Sequence, residues 1–153
     1  MSNTGIPSNV QKSYTLMYNK ISLANSTMES NKISDVLDAV SNDASLELFK
    51  LIALTNGSSE LLRSKMRITR KQYYSRLYRL VRCGLVKRKD DIYFLTALGR
   101  VLYEAQATIE SALINYWRIK AVDSLEVGIP KVEQKRVIET LIKDQQIKNI
   151  LTT

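Results

Sequence analysis

Apolar positions along this chain keep a helical rhythm for most of its length and break it once. From Asp43 onward, Leu46, Phe49, Leu51, Ile52 and Leu54 recur at the spacing of an amphipathic helix. Asn56-Gly57 stops that helix, because Gly takes the left-handed backbone of a helix end without steric cost. A shorter helix precedes it, from a cap at Ser34 to about Val40. Ser58-Ser59-Glu60 starts another through Leu61, Leu62 and Lys65, and Met66 to Ile68 form a short turn. Thr69 then caps a helix with Tyr73, Leu77, Leu80 and Val81 on one face, closed by Gly84. Here the rhythm changes: Leu85-Val86-Lys87-Arg88-Lys89 and Ile92-Tyr93-Phe94-Leu95 predict two short strands joined by a tight turn at Asp90-Asp91. Asp suits that turn because it tolerates the backbone angles of tight turns.

After the hairpin the helical rhythm returns. Thr96 caps a long helix reaching to about Asp123. Lys131 to Leu151 is a further amphipathic helix, with Val132, Val137, Ile138, Leu141, Ile142, Ile150 and Leu151 apolar and Pro130 suited to its first turn. Residues 1–30 are Ser- and Asn-rich and lack sustained periodicity, which predicts a flexible N-terminal arm on which Tyr14, Leu16, Met17 and Tyr18 can dock locally. The pattern predicts a mainly α fold with one small β-hairpin. The organisation read from it is an arm over 1–30, a domain over 31–105 and a helical region over 106–153.

Charge sharpens this picture. Residues 63–89 hold eleven Lys and Arg and no acid, whereas the segments on either side are slightly acidic, in a chain of net charge +8. Solvated faces usually mix signs to relieve repulsion. An unbroken basic run within a folded segment calls for a polyanion, and phosphate backbones supply one. Charge alone fits DNA, RNA or an anionic membrane. No aromatic stacking sheet or Gly-rich clamp favours RNA.

Other chemistries are poorly supplied. The chain has no His and a single Cys, Cys83, so the commonest general base and any thiolate cluster are missing. No enzyme, metal or cofactor is expected. Nor is a membrane span or a secretory leader, which leaves a cytoplasmic, nucleoid-associated protein as the expectation. Cys83 has two readings, a redox sensor beside Arg82 or a small residue fitted under the hairpin. The second is favoured, because the negative end of a helix dipole raises a thiol's pKa.

Three local motifs carry a family resemblance. Thr69-Arg70-Lys71-Gln72-Tyr73-Tyr74-Ser75-Arg76-Leu77 looks like a recognition helix, and Cys83-Gly84-Leu85-Val86 looks like the small-Gly-Leu-Val step into a wing. Tyr93-Phe94-Leu95-Thr96-Ala97-Leu98-Gly99-Arg100 looks like the Y-x-L-T-x-x-G-r exit of many archaeal and bacterial regulators. Over about residues 34–115 the chain resembles archaeal winged helix-turn-helix transcription regulators related to the ArsR and MarR groups. The resemblance implies a winged helix-turn-helix with C-terminal dimerisation helices, binding double-stranded DNA. The Cys ligands of many metal-sensing ArsR proteins are missing, which speaks against a metal response. A competing class is a winged helix used as a protein-interaction or transcription-machinery adaptor with loose nucleic-acid contact.

The helical wheel assigns roles. With Tyr73, Leu77, Leu80 and Val81 inward, Lys71, Ser75, Tyr78 and Arg82 face outward, and Arg70 and Tyr74 flank the N-terminal end. In this motif that end meets base edges, so Arg70 or Lys71 is matched to guanine, and Tyr74, Ser75 and Tyr78 to bases or phosphates. Gln72, Arg76 and Arg79 lie toward the sides, where phosphate contact is expected, and Arg67 and Thr69 lead into the helix. Lys87, Arg88 and Lys89 approach the hairpin tip and suit backbone clamping. Leu98, Leu102, Ala105, Ile109, Ala112, Tyr116 and Ile119 are spaced alternately four and three apart, the seam of a left-handed helix pair. Ile109, Ala112, Leu113, Tyr116, Trp117 and Ile119 are the expected homodimer contacts. Whether the last helix folds back on the long one or reaches across a dimer stays open.

Overall fold

Short polar side chains set most helix starts in this chain. The computed structural model describes residues 9, 11–13, 15–17, 19–20, 31–125 and 128–153. Helix α1 (Ile33–Ala39) begins before Ser34 rather than after it, with the Lys32 N–H donating to Asp35 Oδ2 at 3.2 Å. Asn42 caps α2 (Asp43–Thr55) by accepting the Ser45 N–H at 3.0 Å, and Asn56 ends it at φ 43°. Ser58 caps α3 (Ser59–Lys65) in the same way through the Leu61 N–H. Thr69 and Gln72 cap α4 (Arg70–Arg82) reciprocally: Thr69 Oγ1 accepts the Gln72 N–H at 3.2 Å, and Gln72 Oε1 accepts the Thr69 N–H at 3.1 Å. Gly84, at φ 71°, follows α4.

Strands β1 (Val86–Lys89) and β2 (Ile92–Leu95) form an antiparallel hairpin with Val86 opposite Leu95 and Lys89 opposite Ile92. Asp90 and Asp91 both have positive φ, at 49° and 64°. A two-residue turn that follows the strand twist requires that pair of angles. The loop before α3 adds a contact that periodicity does not announce. Ser58 bridges Ile92, and the Tyr93 N–H donates to Gly57 O at 3.2 Å, so β2 is paired on both edges locally.

A Thr-x-x-Gly step joins the hairpin to α5 (Ala97–Ile114). Thr96 Oγ1 donates toward the Gly84 and Leu85 carbonyls and accepts the Gly99 N–H at 3.0 Å. A Cβ at position 99 would lie 2.0 Å from Leu85 O, so only Gly lets α5 come this close to the strand entrance. Beneath lie Leu48, Phe49, Ile52, Leu62, Tyr73, Leu77, Leu80, Leu85 and Tyr93, all buried. Tyr73 OH shares a 3.3 Å hydrogen bond with Ser59 Oγ, which satisfies a buried phenol.

The chain divides into two compact units, Met1–Leu102 and Tyr103–Thr153. In the second, the helix expected to run to Asp123 is interrupted at Asn115 (φ −98°, ψ 22°), after which α6 (Tyr116–Asp123) begins. The Asn115 side chain donates to Ser111 O at 2.9 Å, beside its own backbone N–H at 3.1 Å, and accepts from Arg118 at 3.1 Å. The last expected helix is also two, α7 (Lys131–Leu141) and α8 (Gln145–Thr152). Asp144 restarts it by accepting the Gln146 and Ile147 N–H groups at 2.9 and 3.1 Å. Ser111 Oγ donates to the same carboxylate at 2.9 Å, tying α8 to α5. Val122, Ile138, Ile142 and Ile147 form the core here, with Ala112, Ile119, Leu141 and Leu151 packed against it. The C-terminal helices therefore fold back onto their own chain.

Of the arm expected over 1–30, residues 1–8, 10, 14, 18 and 21–30 lie outside the described residues, Tyr14 and Tyr18 among them. Those described between 9 and 20 are helical. Among the described residues no helix is long and apolar enough to cross a membrane, and no group of His, Cys, Asp and Glu is placed to hold a metal ion.

Candidate nucleic-acid interface

Helix α4 separates an apolar face from a basic one, as its sequence dictates. Tyr73, Leu77, Leu80 and Val81 are buried, while Arg70, Lys71, Gln72, Ser75, Arg79 and Arg82 are exposed. Arg67 and Thr69 are exposed on the approach to the helix. No acid stands in the first turn of α4, and Arg70 and Lys71 occupy it instead. Cations at a helix N-terminus oppose the helix dipole, so this placement is unfavourable for the helix itself. An incoming phosphate would relieve it, since helix N-termini are natural anion sites.

Several of the expected contact residues have work inside the fold. Thr69 and Gln72 cap α4 through their side chains. Arg76 is partly buried, and its Nη1 donates to Gln72 O at 3.2 Å. Arg79 pairs with Asp38 of α1 at 3.1 Å, which fastens α1 to α4. In the hairpin, Arg88 lies opposite Tyr93, pairs with Asp91, and sits over the Tyr93 ring at 6.0 Å. Its side chain is only 13% exposed, unlike the strand neighbours Lys87 and Lys89, which face solvent. The period of two along β1 explains the split: Val86 and Arg88 share one face, and Lys87 and Lys89 the other.

Tyr78 points away from the core stripe and Tyr74 lies at its edge, and both are half-buried. Met17 and Lys20 of the N-terminal segment line one cavity of about 270 Å³ with Lys71, Tyr74, Ser75 and Tyr78. Tyr74 also packs edge-on against Tyr73, with ring centres 5.1 Å apart. The sequence signal for this contact is the group Tyr14, Leu16, Met17 and Tyr18 in a Ser- and Asn-rich stretch.

Cys83 is buried and its Sγ lies 3.4 Å from Asp35 O, to which it donates. Burial and the nearby Asp35 carboxylate push the thiol up, and outweigh Arg79 and Arg82, which pull it down. A thiol held protonated is a poor sensor of oxidants.

In the second unit the expected dimer contacts divide. Ala112 and Ile119 pack against the unit's own core of Val122, Ile138, Ile142 and Ile147. Ile109, Leu113, Tyr116 and Trp117 remain exposed, Trp117 at 75%. Ile114 joins them at 84%; an unbroken heptad places it off the seam, so the pattern gave no sign of it. Tyr116 and Trp117 stack edge-on at 5.4 Å, and Lys120 Nζ lies 5.3 Å from the Trp117 ring. Comparison with protein-family models, curated proteins and solved structures gave no match, so any functional reading rests on these residues themselves.

Proposed function

We propose that this chain is a sequence-specific, double-stranded-DNA-binding transcription regulator of the winged helix-turn-helix kind, acting as a homodimer. In this reading α3, the turn at Met66 to Ile68 and α4 are the helix-turn-helix, and the β1–β2 hairpin is the wing. The observation that carries it is the acid-free run from Arg63 to Lys89, which sets exposed Arg67, Arg70 and Lys71 around the start of α4 and exposed Lys87 and Lys89 on one hairpin face. The ArsR/MarR resemblance over the same residues supports it. Arg70 and Lys71 are assigned to base edges, and Lys87 and Lys89 to phosphates. Arg79 and Arg88, each paired with an aspartate, are assigned chiefly to holding the fold.

Selection of bound fragments from random duplex DNA, followed by shift assays on the best site, tests the reading. Binding is expected to weaken with salt at a log–log slope of about −5 to −8 for a dimer. Lys71→Ala should cost about 1–3 kcal/mol on the best site and relax its base preference, whereas Lys87→Ala should weaken all duplexes alike. A flat salt response, or no preference among sequences, would overturn it.

A further inference from the structure

The outward face of α4 carries an unexpected neighbour. Tyr78 lies on the outward face of α4, away from the buried stripe of Tyr73, Leu77, Leu80 and Val81, and Tyr74 lies at the edge of that stripe, packed on Tyr73. Tyr74 and Tyr78 are half-buried, and Met17 and Lys20 of the N-terminal helical segment share a cavity with them and with Lys71 and Ser75. Four of the residues assigned above to DNA thus lie beside the chain's own N-terminal segment.

Geometry makes that position exclusive. A B-DNA major groove is about 12 Å wide and an α-helix with its side chains is about 10–12 Å across, so the groove admits one helix. A second helix against the outward face of α4 cannot enter with it. The space between them, about 270 Å³, has Lys20 and Lys71 around it, and among the described residues of the segment Met17 is the apolar side chain that lines it. Two ammonium groups near one another repel, and a polyanion on α4 competes for both.

We infer that the described residues between 9 and 20, Met17 and Lys20 foremost, are a built-in cover for the outward face of α4, which duplex DNA must displace before α4 can enter the major groove. The inference rests on the DNA-binding reading above. It implies that apparent affinity is lowered by the fraction of molecules with the cover open, a factor that opening the cover restores. The segment thereby becomes a place where affinity is set without any change in the contacts to DNA. Lys12 and Lys20, the cations among its described residues, raise the opposite possibility, a segment that itself grips DNA.

The test uses the full chain and a random 30-base-pair duplex probe. Met17→Ser removes the apolar side chain that the described part of the segment sets beside α4, without altering charge, and it should tighten duplex binding by about three- to tenfold, the gain expected when a mostly closed cover is opened. Hydrogen exchange on the wild-type chain should show residues 9–20 losing protection when duplex is added, while α4 gains it. Equal affinity of the two forms with unchanged exchange in residues 9–20 would overturn the cover and leave the DNA-binding reading standing. Weaker binding by Met17→Ser, with protection gained in residues 9–20, would show a DNA-gripping arm instead. Absence of duplex binding by both forms would overturn the cover together with the reading it rests on.

Discussion

At the scale of single residues, the positions with least freedom are those where backbone meets backbone. Gly99 is the clearest case, since any Cβ there meets Leu85 O at 2.0 Å. Helix propensity alone favours Ala over Gly by up to about 1 kcal/mol. Overpacking against a backbone carbonyl outweighs it, so Gly99→Ala is expected to destabilise the fold by about 1–3 kcal/mol. Denaturant unfolding measures this directly, and an unchanged or raised midpoint would show that α5 can shift away at little cost. Tyr73 and Tyr93 give a second prediction. Burial pushes both phenols from 10.0 up to about 12. Between those values the unfolded chain releases protons that the folded one retains, so the stability these groups contribute is complete below pH 10 and is lost as pH rises toward 12. Melting temperatures should fall across that interval, and tyrosinate absorbance should show a late step. Replacing Tyr93 by Phe should make the fall shallower; an unchanged profile would place the alkaline sensitivity elsewhere.

Helices and strands that begin and end on short-range signals were legible in the sequence. Gly84, Asn56-Gly57, Thr69 and the Asp90-Asp91 turn mark the ends of α2, α4 and β1 because caps and tight turns need particular residues in place. The break at Asn115 was not legible, since heptad spacing continues through it and no Gly or Pro marks it. Local docking of the N-terminal segment was legible in Leu16 and Met17, but its place beside Tyr74 and Tyr78 follows no repeating pattern. The charge run was fully visible, but which cations are paired was not: the pairings of Arg79 with Asp38 and Arg88 with Asp91 are tertiary and turn geometry. Helix α4 itself supplies the prediction at this scale. Its first turn carries two cations where the dipole favours acids. Lys71→Glu should therefore leave the fold as stable as before or stabilise it by about 0.3–1 kcal/mol. The same change should greatly weaken duplex binding. A fold damaged by Lys71→Glu would mean that Lys71 holds structure, and the argument that its placement serves a polyanion would fail.

For the whole molecule, the open question is what covers the apolar side chains of the second unit. That unit satisfies its own core with Val122, Ile138, Ile142 and Ile147, and draws Ala112 and Ile119 into it. Ile109, Leu113, Ile114, Tyr116 and Trp117 are left exposed along the last turns of α5 and the first of α6. Contiguous apolar surface of this kind usually marks an interface. Large aromatic side chains can bury about 150–250 Å² each, and a typical interface needs about 800 Å² per partner, so this cluster can supply much of one. Trp and Tyr are also the residues most often found at energetic centres of interfaces. Lys120 beside the Trp117 ring suits a polar rim. A second copy of the chain fits the proposed function, because a two-fold pair places two reading helices on half-sites about 34 Å apart. The prediction is a homodimer at micromolar concentration, converted to monomer by Leu113→Glu with Trp117→Glu and then binding an inverted-repeat site far more weakly than the native chain. Light scattering reads the mass. Trp117 is the only tryptophan in the sequence, so its emission should shift to longer wavelength as the native chain is diluted. A native chain that scatters as a monomer at tens of micromolar, with emission unchanged on dilution, would show that this face meets something other than its own copy and that DNA is met by one α4 at a time.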